Sequence, residues 1–265
     1  MPDPKVCVSL EETTVKAMVE EAARAGIQGA DMIEVRFDRL YLKRPQPTVV
    51  ENEDGEKTST MPPVEEWAVL DFEQVDIEAS IASLKEGISL PVVFSVRSVR
   101  DGGYFAGDEE QRLAILEAAI QSDVAWIDLE MSIDDSNRSS LMKAAKAANC
   151  HIIASQHDTN GTPSAAEIME FVRSNGDNGD MVKFCGTVND HQDALQIVNA
   201  ANELTGEDHC YSVMALGNGG DWARIHAPIM GQHMVYATMR NEFRLSDKGL
   251  VNVRDLQDAW RLLEY

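Results

Sequence analysis

With 45 acidic against 23 basic side chains in 265 residues, the chain carries a net charge of −22, which excludes nucleic acid as a partner because its phosphates would be repelled. A hydrophobic content of 44% with 6% aromatics fits a packed aliphatic core of the size one α/β barrel needs. No window nears the roughly 20 apolar residues of a membrane span, so a membrane partner is not expected.

The start, MPDPKVCVSL, lacks a basic stretch ahead of an apolar run and does not read as a secretory signal. From there, short β-type runs alternate with amphipathic helical ones. Strands are predicted at 5–10, 32–38, 91–97, 125–131, 151–157, 181–187, 210–216 and 234–239. Helices are predicted at about 12–25, 71–87, 108–122, 135–148, 164–175, 189–204, 221–227 and 254–263. Some have clear start signals, such as Thr162 and Pro163 ahead of SAAEIMEFV. Eight alternations with right-handed crossovers close most simply into a (β/α)8 TIM barrel, a single domain over residues 1–265. The alternative, a doubly wound sheet, lacks a GxGxxG after its first strand.

One segment breaks the pattern. Residues 42–66, rich in Pro, Glu and Thr, read as a mobile insertion loop between the second strand and its helix. Cys7, Cys150, Cys185 and Cys210 have no CxxC spacing and read as reduced, mostly buried thiols of a cytoplasmic protein. The acids are scattered through the helices and lysine is scarce beside arginine, which suggests a surface adapted to concentrated salt. Simple solubility of an acidic protein is the blander account of the same pattern.

Side chains alternate across a strand, so parity sorts the faces. Glu34, Arg36 and Asp38 share one face of their strand, opposite Ile33, Val35 and Phe37. Val93, Ser95 and Arg97 share another, as do Asp128 and Glu130, and Ile153, Ser155 and His157. Lys183 lies with Met181 and Cys185. The apolar faces must meet the helices, so at least five strands send polar or ionisable groups inward, mostly near their C-terminal ends. Active sites of such barrels assemble there. A salt-bridged structural core would explain any one of these residues but not all together.

Lys183 is the anomaly within its apolar run. Burial, with Arg36, Arg97 or Arg224 near, would push a lysine down from its ordinary pKa of about 10.4. A neutral amine attacks ketones to give an imine, which acidifies the adjacent C–H. His157, facing in from the neighbouring strand, suits general acid and base work. Together with the arginines, this pair points to imine-mediated proton abstraction on a keto-acid.

The segments FSVRSVRDGG (94–103), ASQHD (154–158), MVKFCG (181–186) and MALGNGGDWARIHAPIMGQHMVYA (214–237), with EVRFD (34–38), resemble the successive signatures of type I 3-dehydroquinate dehydratases. The resemblance covers nearly the whole barrel. It implies dehydration of 3-dehydroquinate to 3-dehydroshikimate, a step of the shikimate pathway towards aromatic amino acids, without metal or cofactor. It further implies that Lys183 forms the imine with the C3 ketone and that His157 takes a proton from C2 and returns one to the leaving C1 hydroxyl. Arg224 would clamp the carboxylate, Glu34, Arg36 and Arg97 would hold the ring hydroxyls, and Met214 would line the pocket. Homodimers are common in such a family.

Two positions depart from the family pattern. Where the family has Arg-x-x-x-Glu-Gly-Gly, with the glutamate on the catalytic histidine, this chain has Asp101 before Gly102 and Gly103. Aspartate is one methylene shorter, so either the loop moves inward or water fills the gap. The family's lid Pro-Gly-Gln corresponds to SDKGLVNV (246–253), with Leu250 in place of glutamine, leaving Ser246, Lys248 or Arg244 to supply the contact. A class I aldolase-like enzyme and a barrel that binds the ligand without turnover are the competing readings. GNGG (217–220) reads as a turn presenting Arg224 ahead of a phosphate cradle. The remaining histidines share no ligand spacing, and His226 is placed at the pocket rim or on the surface.

Overall fold

The computed structural model describes residues 3–51, 57–240 and 249–265. Each strand is a short run of Val, Ile, Met, Phe and Tyr, residues that fill a pleated surface covered on both faces. The barrel strands are β1 (Lys5–Ser9), β2 (Met32–Arg36), β3 (Val92–Ser95), β4 (Trp126–Glu130), β5 (His151–His157), β6 (Met181–Val188), β7 (Tyr211–Gly217) and β8 (Met234–Ala237). They pair in parallel in the order β7-β6-β5-β4-β3-β2-β1-β8, which brings β8 back beside β1.

The β7–β8 seam closes the barrel largely through side chains. His233 donates its N–H to the Tyr211 carbonyl at 3.0 Å. Beyond it, the Ser212 hydroxyl donates to the Met234 carbonyl at 2.7 Å. The Val213 N–H donates to the Gln232 side-chain oxygen at 2.8 Å, and that amide's nitrogen donates to the Ala223 carbonyl at 3.2 Å.

Helices follow in register: α1 (Val15–Ile27), α2 (Ile77–Gly87), α3 (Glu109–Gln121), α4 (Asp135–Ala147), α5 (Ala165–Ser174), α6 (His191–Glu203), α7 (Asp221–Ile225) and α8 (Val253–Leu262). Several begin on capping side chains: Thr14 before α1, Asp76 before α2, Asp134 before α4 and Asp190 before α6. Such caps satisfy amides that the helix leaves unpaired. Caps also explain where the predicted boundaries shift. α5 starts at a Ser164–Glu167 capping box, while Thr162 bonds back to the Thr187 carbonyl at 2.9 Å. The predicted start of α2 at 71 is a separate 3-10 turn, Phe72–Gln74, with its own Asp71–Gln74 box.

The predicted inward and outward faces are present. Outward residues such as Ile33, Val35, Ile127, Leu129 and Ile152 join the helices in the main core. The lower barrel interior is apolar, with Met32, Val93, Ile153, Met181 and Met234. Above it the interior turns polar, with Glu34, Ser95, Asp128, Glu130, Ser155, Lys183 and Ser212 all buried.

The segment after β2 is not the open loop its composition suggested. Leu42–Lys43 pairs with Ala68–Val69, and Thr48–Glu51 pairs antiparallel with Lys57–Thr60. No helix among the described residues is long and apolar enough to cross a membrane.

Candidate active site

The C-terminal ends of the strands surround a cavity of about 590 Å³. Glu34, Arg36, Arg97, His157, Lys183, Met214 and Arg224 all border it. Strand parity brings them together: Lys183 is in register with Ser155 on β5 and Ser212 on β7, and Cys185 with His157.

Lys183 is 3% exposed and sits at the cavity floor. Its Nζ donates to Asp128 Oδ2 at 3.2 Å, lies 3.6 Å from Glu34 Oε1 and sits 3.9 Å from the centre of the Tyr236 ring. The groups closest to the amine are therefore carboxylates and a π-face, not the arginines that the sequence suggested. Both carboxylates are held in turn: the Ser9 hydroxyl donates to Glu34, and the Ser155 hydroxyl to Asp128. Arg97 reaches Glu34 at 3.3 Å, Glu130 at 3.6 Å and Asp128 at 3.9 Å. Burial alone would raise the Glu34 carboxyl, but Lys183, Arg97 and Arg36, with the Ser9 bond, outweigh it and hold its pKa at about 2.

His157 contrasts with this network. Neither ring nitrogen has a hydrogen-bond partner among the described residues. Burial, then the charges of Arg97, Lys183 and Arg36, push its pKa well below the ordinary 6.5, so the imidazole is neutral near pH 7. A neutral ring with free nitrogens, beside a buried amine, is chemically equipped to accept a proton.

Arg36 forks onto Asp38 through Nε at 2.9 Å and Nη2 at 2.6 Å. Asp38 also accepts the Tyr104 N–H at 3.0 Å, so it anchors both the arginine and the loop after β3. Arg224 is 1% exposed and is presented by the Gly217–Gly220 turn, where Gly217 at φ 111° takes a left-handed conformation. Its Nη1 donates to the Ala215 and Gly220 carbonyls at 2.6 and 2.5 Å, and its Nε to the Tyr236 carbonyl at 3.0 Å. Nη2 meets the Met214 sulfur at 3.7 Å. No carboxylate forms an ion pair with it among the described residues, and burial lowers its pKa. A desolvated cation with only neutral partners, on a cavity wall, favours an incoming anion.

Asp101 makes no direct bond to the histidine. Its carboxylate does not reach His157; Oδ2 accepts from the Ser98 hydroxyl at 2.7 Å and the Ser132 hydroxyl at 2.9 Å, and pairs with Arg100 at 3.2 Å. Only glycine fits at 103, where a Cβ would stand 2.2 Å from the Arg97 carbonyl. The shorter side chain is taken up by its own turn. Ser246, Lys248 and Arg244 fall outside the described residues. Leu250 borders the cavity. His226 does not: its Nδ1 shares a 2.7 Å hydrogen bond with the Tyr265 hydroxyl.

The sequence reading put Asp128 on an inward face without giving it a partner, and it passed over Tyr236 and the wall formed by Met61, Pro62, Pro63 and Val64. Tyr236 was accessible to the parity argument, since it shares a strand face with Met234 and Thr238. The wall carried no periodic signal.

The family model for type I 3-dehydroquinase matches residues 6–265. Two similar relatives are 3-dehydroquinate dehydratases. That of Methanothermobacter thermautotrophicus is 28% identical over 89% of this chain and 87% of its own length; that of Methanococcoides burtonii is 28% identical over 93% and 90%. Among solved structures, the 3-dehydroquinate dehydratase of Geobacillus kaustophilus superposes with a TM-score of 0.77 at 19% identity, covering 99% of this chain and 91% of that one. The type I enzyme of Clostridium difficile, with covalent modified comenic acid, gives 0.77 at 22% identity, covering 98% and 92%.

Proposed function

The chain belongs to the type I 3-dehydroquinase family and is a dehydratase, and on that premise we propose that it converts 3-dehydroquinate to 3-dehydroshikimate through an imine on Lys183. The observation that carries this reading is the pairing, in one cavity, of a buried amine with a neutral histidine whose ring nitrogens are both unbonded.

In the proposed sequence the ammonium of Lys183 first gives up a proton, with Asp128 at 3.2 Å the nearest acceptor. The amine adds to the C3 ketone, and loss of water leaves a protonated imine. His157 then removes a proton from C2, and the electron pair moves into the C2–C3 bond to give an enamine. The enamine expels the C1 hydroxyl, which takes the proton from His157 and leaves as water. Hydrolysis of the imine frees Lys183 and the product. Arg224 holds the C1 carboxylate by its fork, with Met214 beside it. Arg36 and Arg97, fixed on Asp38 and Glu34, hold ring hydroxyls. No residue among those described holds His157 in place of the family's glutamate, so in this chain the imidazole is oriented by packing and by substrate.

Borohydride reduction in the presence of 3-dehydroquinate, followed by peptide mass mapping, tests the nucleophile. A ligand-sized adduct on the peptide bearing Lys183, absent in Lys183→Ala, is expected. An adduct elsewhere, or none in folded protein, overturns the reading. His157→Ala is expected to trap adduct slowly while losing dehydration by about 10²-fold or more.

A further inference from the structure

A chain with 45 carboxylate residues and 23 lysines and arginines has acids in excess, so a buried arginine left without one is informative. Arg39, Arg112 and Arg224 are each less than a tenth exposed. Arg112 is neutralised by Glu109 and Glu130. Arg224 is not, and the substrate carboxylate is the anion proposed for it.

Arg39 shares the features of Arg224. It is 7% exposed and borders the same cavity. Its Nε donates to the Glu11 backbone carbonyl at 2.8 Å, and its guanidinium lies 5.2 Å from the centre of the Tyr104 ring. Among the described residues no carboxylate forms an ion pair with it, and Nη1 and Nη2 make no hydrogen bond. The nearby acids are already committed. Glu11 receives Arg240 Nε at 2.8 Å on one oxygen and the Thr238 hydroxyl at 2.9 Å on the other. Asp38 receives Arg36 and the Tyr104 N–H. Arg36, also over the Tyr104 ring at 5.9 Å, is itself balanced by Asp38. Glu11 and Asp38 act on Arg39 only through space, so a buried guanidinium with no ion pair among the described residues and two unbonded Nη groups beside the cavity is left to be completed by an incoming anion.

We infer that Arg39, backed by Tyr104 and Arg36, forms a second anion subsite in the cavity, separate from Arg224, that takes a small oxyanion, a carboxylate or a phosphate, on its two free Nη groups. The planar fork suits two oxygens of one head group. The ligand is other than the C1 carboxylate held at Arg224, so the inference does not depend on the imine chemistry.

The test is calorimetric titration of the full chain with inorganic phosphate and, separately, with acetate, at fixed ionic strength. It compares the parent, Arg39→Gln, Arg39→Lys and Arg224→Gln, with circular dichroism as the check on folding. Two binding events are expected in the parent; one weakens about tenfold or more in Arg39→Gln and stays within about twofold in Arg224→Gln, which removes only the separate Arg224 event. Arg39→Lys, which keeps the charge and loses the fork, is expected to fall between the parent and Arg39→Gln, and it serves as the test should Arg39→Gln fail to fold. The tighter of the two probes identifies the head group. No binding of either anion to the parent, unchanged binding in the Arg39 variants, or loss of one and the same binding event in Arg39→Gln and Arg224→Gln overturns the subsite.

Discussion

The lysine that looked out of place in an apolar strand is accommodated by two carboxylates and an aromatic face, which makes Asp128 the residue on which its charge most depends. Asp128→Asn is expected to destabilise the fold by about 1–3 kcal/mol, because it weakens a buried pair without removing the cation; urea denaturation measures it. The pH dependence follows from two depressed groups. His157 has a folded pKa well below 6.5, so on acidification the unfolded chain takes up its proton first, and stability falls as pH drops below about 6.5. Glu34 adds stability that is fully present above 4.5 and is lost as pH falls towards its folded value of about 2. Burial of Glu130 raises its carboxyl to about 8, so it works in the opposite sense between pH 8 and 4.5. The His157 contribution is read as the difference, with the denaturation midpoint expected to fall less steeply below pH 6.5 in His157→Ala than in the parent. Strand parity placed Lys183 and His157 on the inward face, whereas Arg224 and Met214 were reached only through the motif that contains them; all four border the cavity. The direct partners of Asp101 were not readable, because a motif position says nothing of which hydroxyls stand nearer. Ser98 and Ser132 take its carboxylate before the histidine can.

At the scale of elements, the barrel was legible because its strands are apolar runs and its helices carry a 3.6-residue stripe, both strong periodic signals. What the period could not show was short or aperiodic. Two-residue pairings such as Leu42–Lys43 with Ala68–Val69 are too brief to alternate, and a Pro- and Glu-rich composition hides the Thr48–Glu51 hairpin arm. That segment nonetheless supplies Arg44, Met61, Pro62, Pro63 and Val64 to the cavity wall. The β7–β8 seam was equally hidden, since nothing in a sequence marks Gln232 as a substitute for backbone pairing. Gln232→Ala is expected to cost about 1–3 kcal/mol by leaving the Val213 N–H and the Ala223 carbonyl unpaired in the interior; the shift of a chemical denaturation midpoint reads it.

Across the whole molecule, charge is divided unevenly. Arg36, Arg39, Arg44, Arg97, Arg224 and Arg240 border one cavity in a chain with 23 basic residues, while the net charge is −22. An anionic substrate is thus repelled at a distance and attracted at the site. Salt shortens the reach of the repulsion, with a screening length of about 10 Å at 0.1 M, and leaves the close, partly buried contacts less affected. Raising salt from about 0.01 M to about 1 M is therefore expected to raise the thermal midpoint, as self-repulsion among the surface acids is screened. It is also expected to raise kcat/KM over the lower part of that range. A midpoint insensitive to salt would assign the acidic surface to solubility alone.

The side-chain seam has a further consequence, in time rather than in energy. Most amides of the barrel strands are held by a neighbouring strand's carbonyl and are released only when the strands part, although those of Val6 and Ile152 are held by the Asp31 and Asp180 side chains. The Val213 amide hangs on the rotamer of one glutamine. Deuterium should enter there by local fluctuation and reach the neighbouring strands only through global opening, so the exchange rate of that one amide would serve as a clock for motion next to Met214 and Arg224.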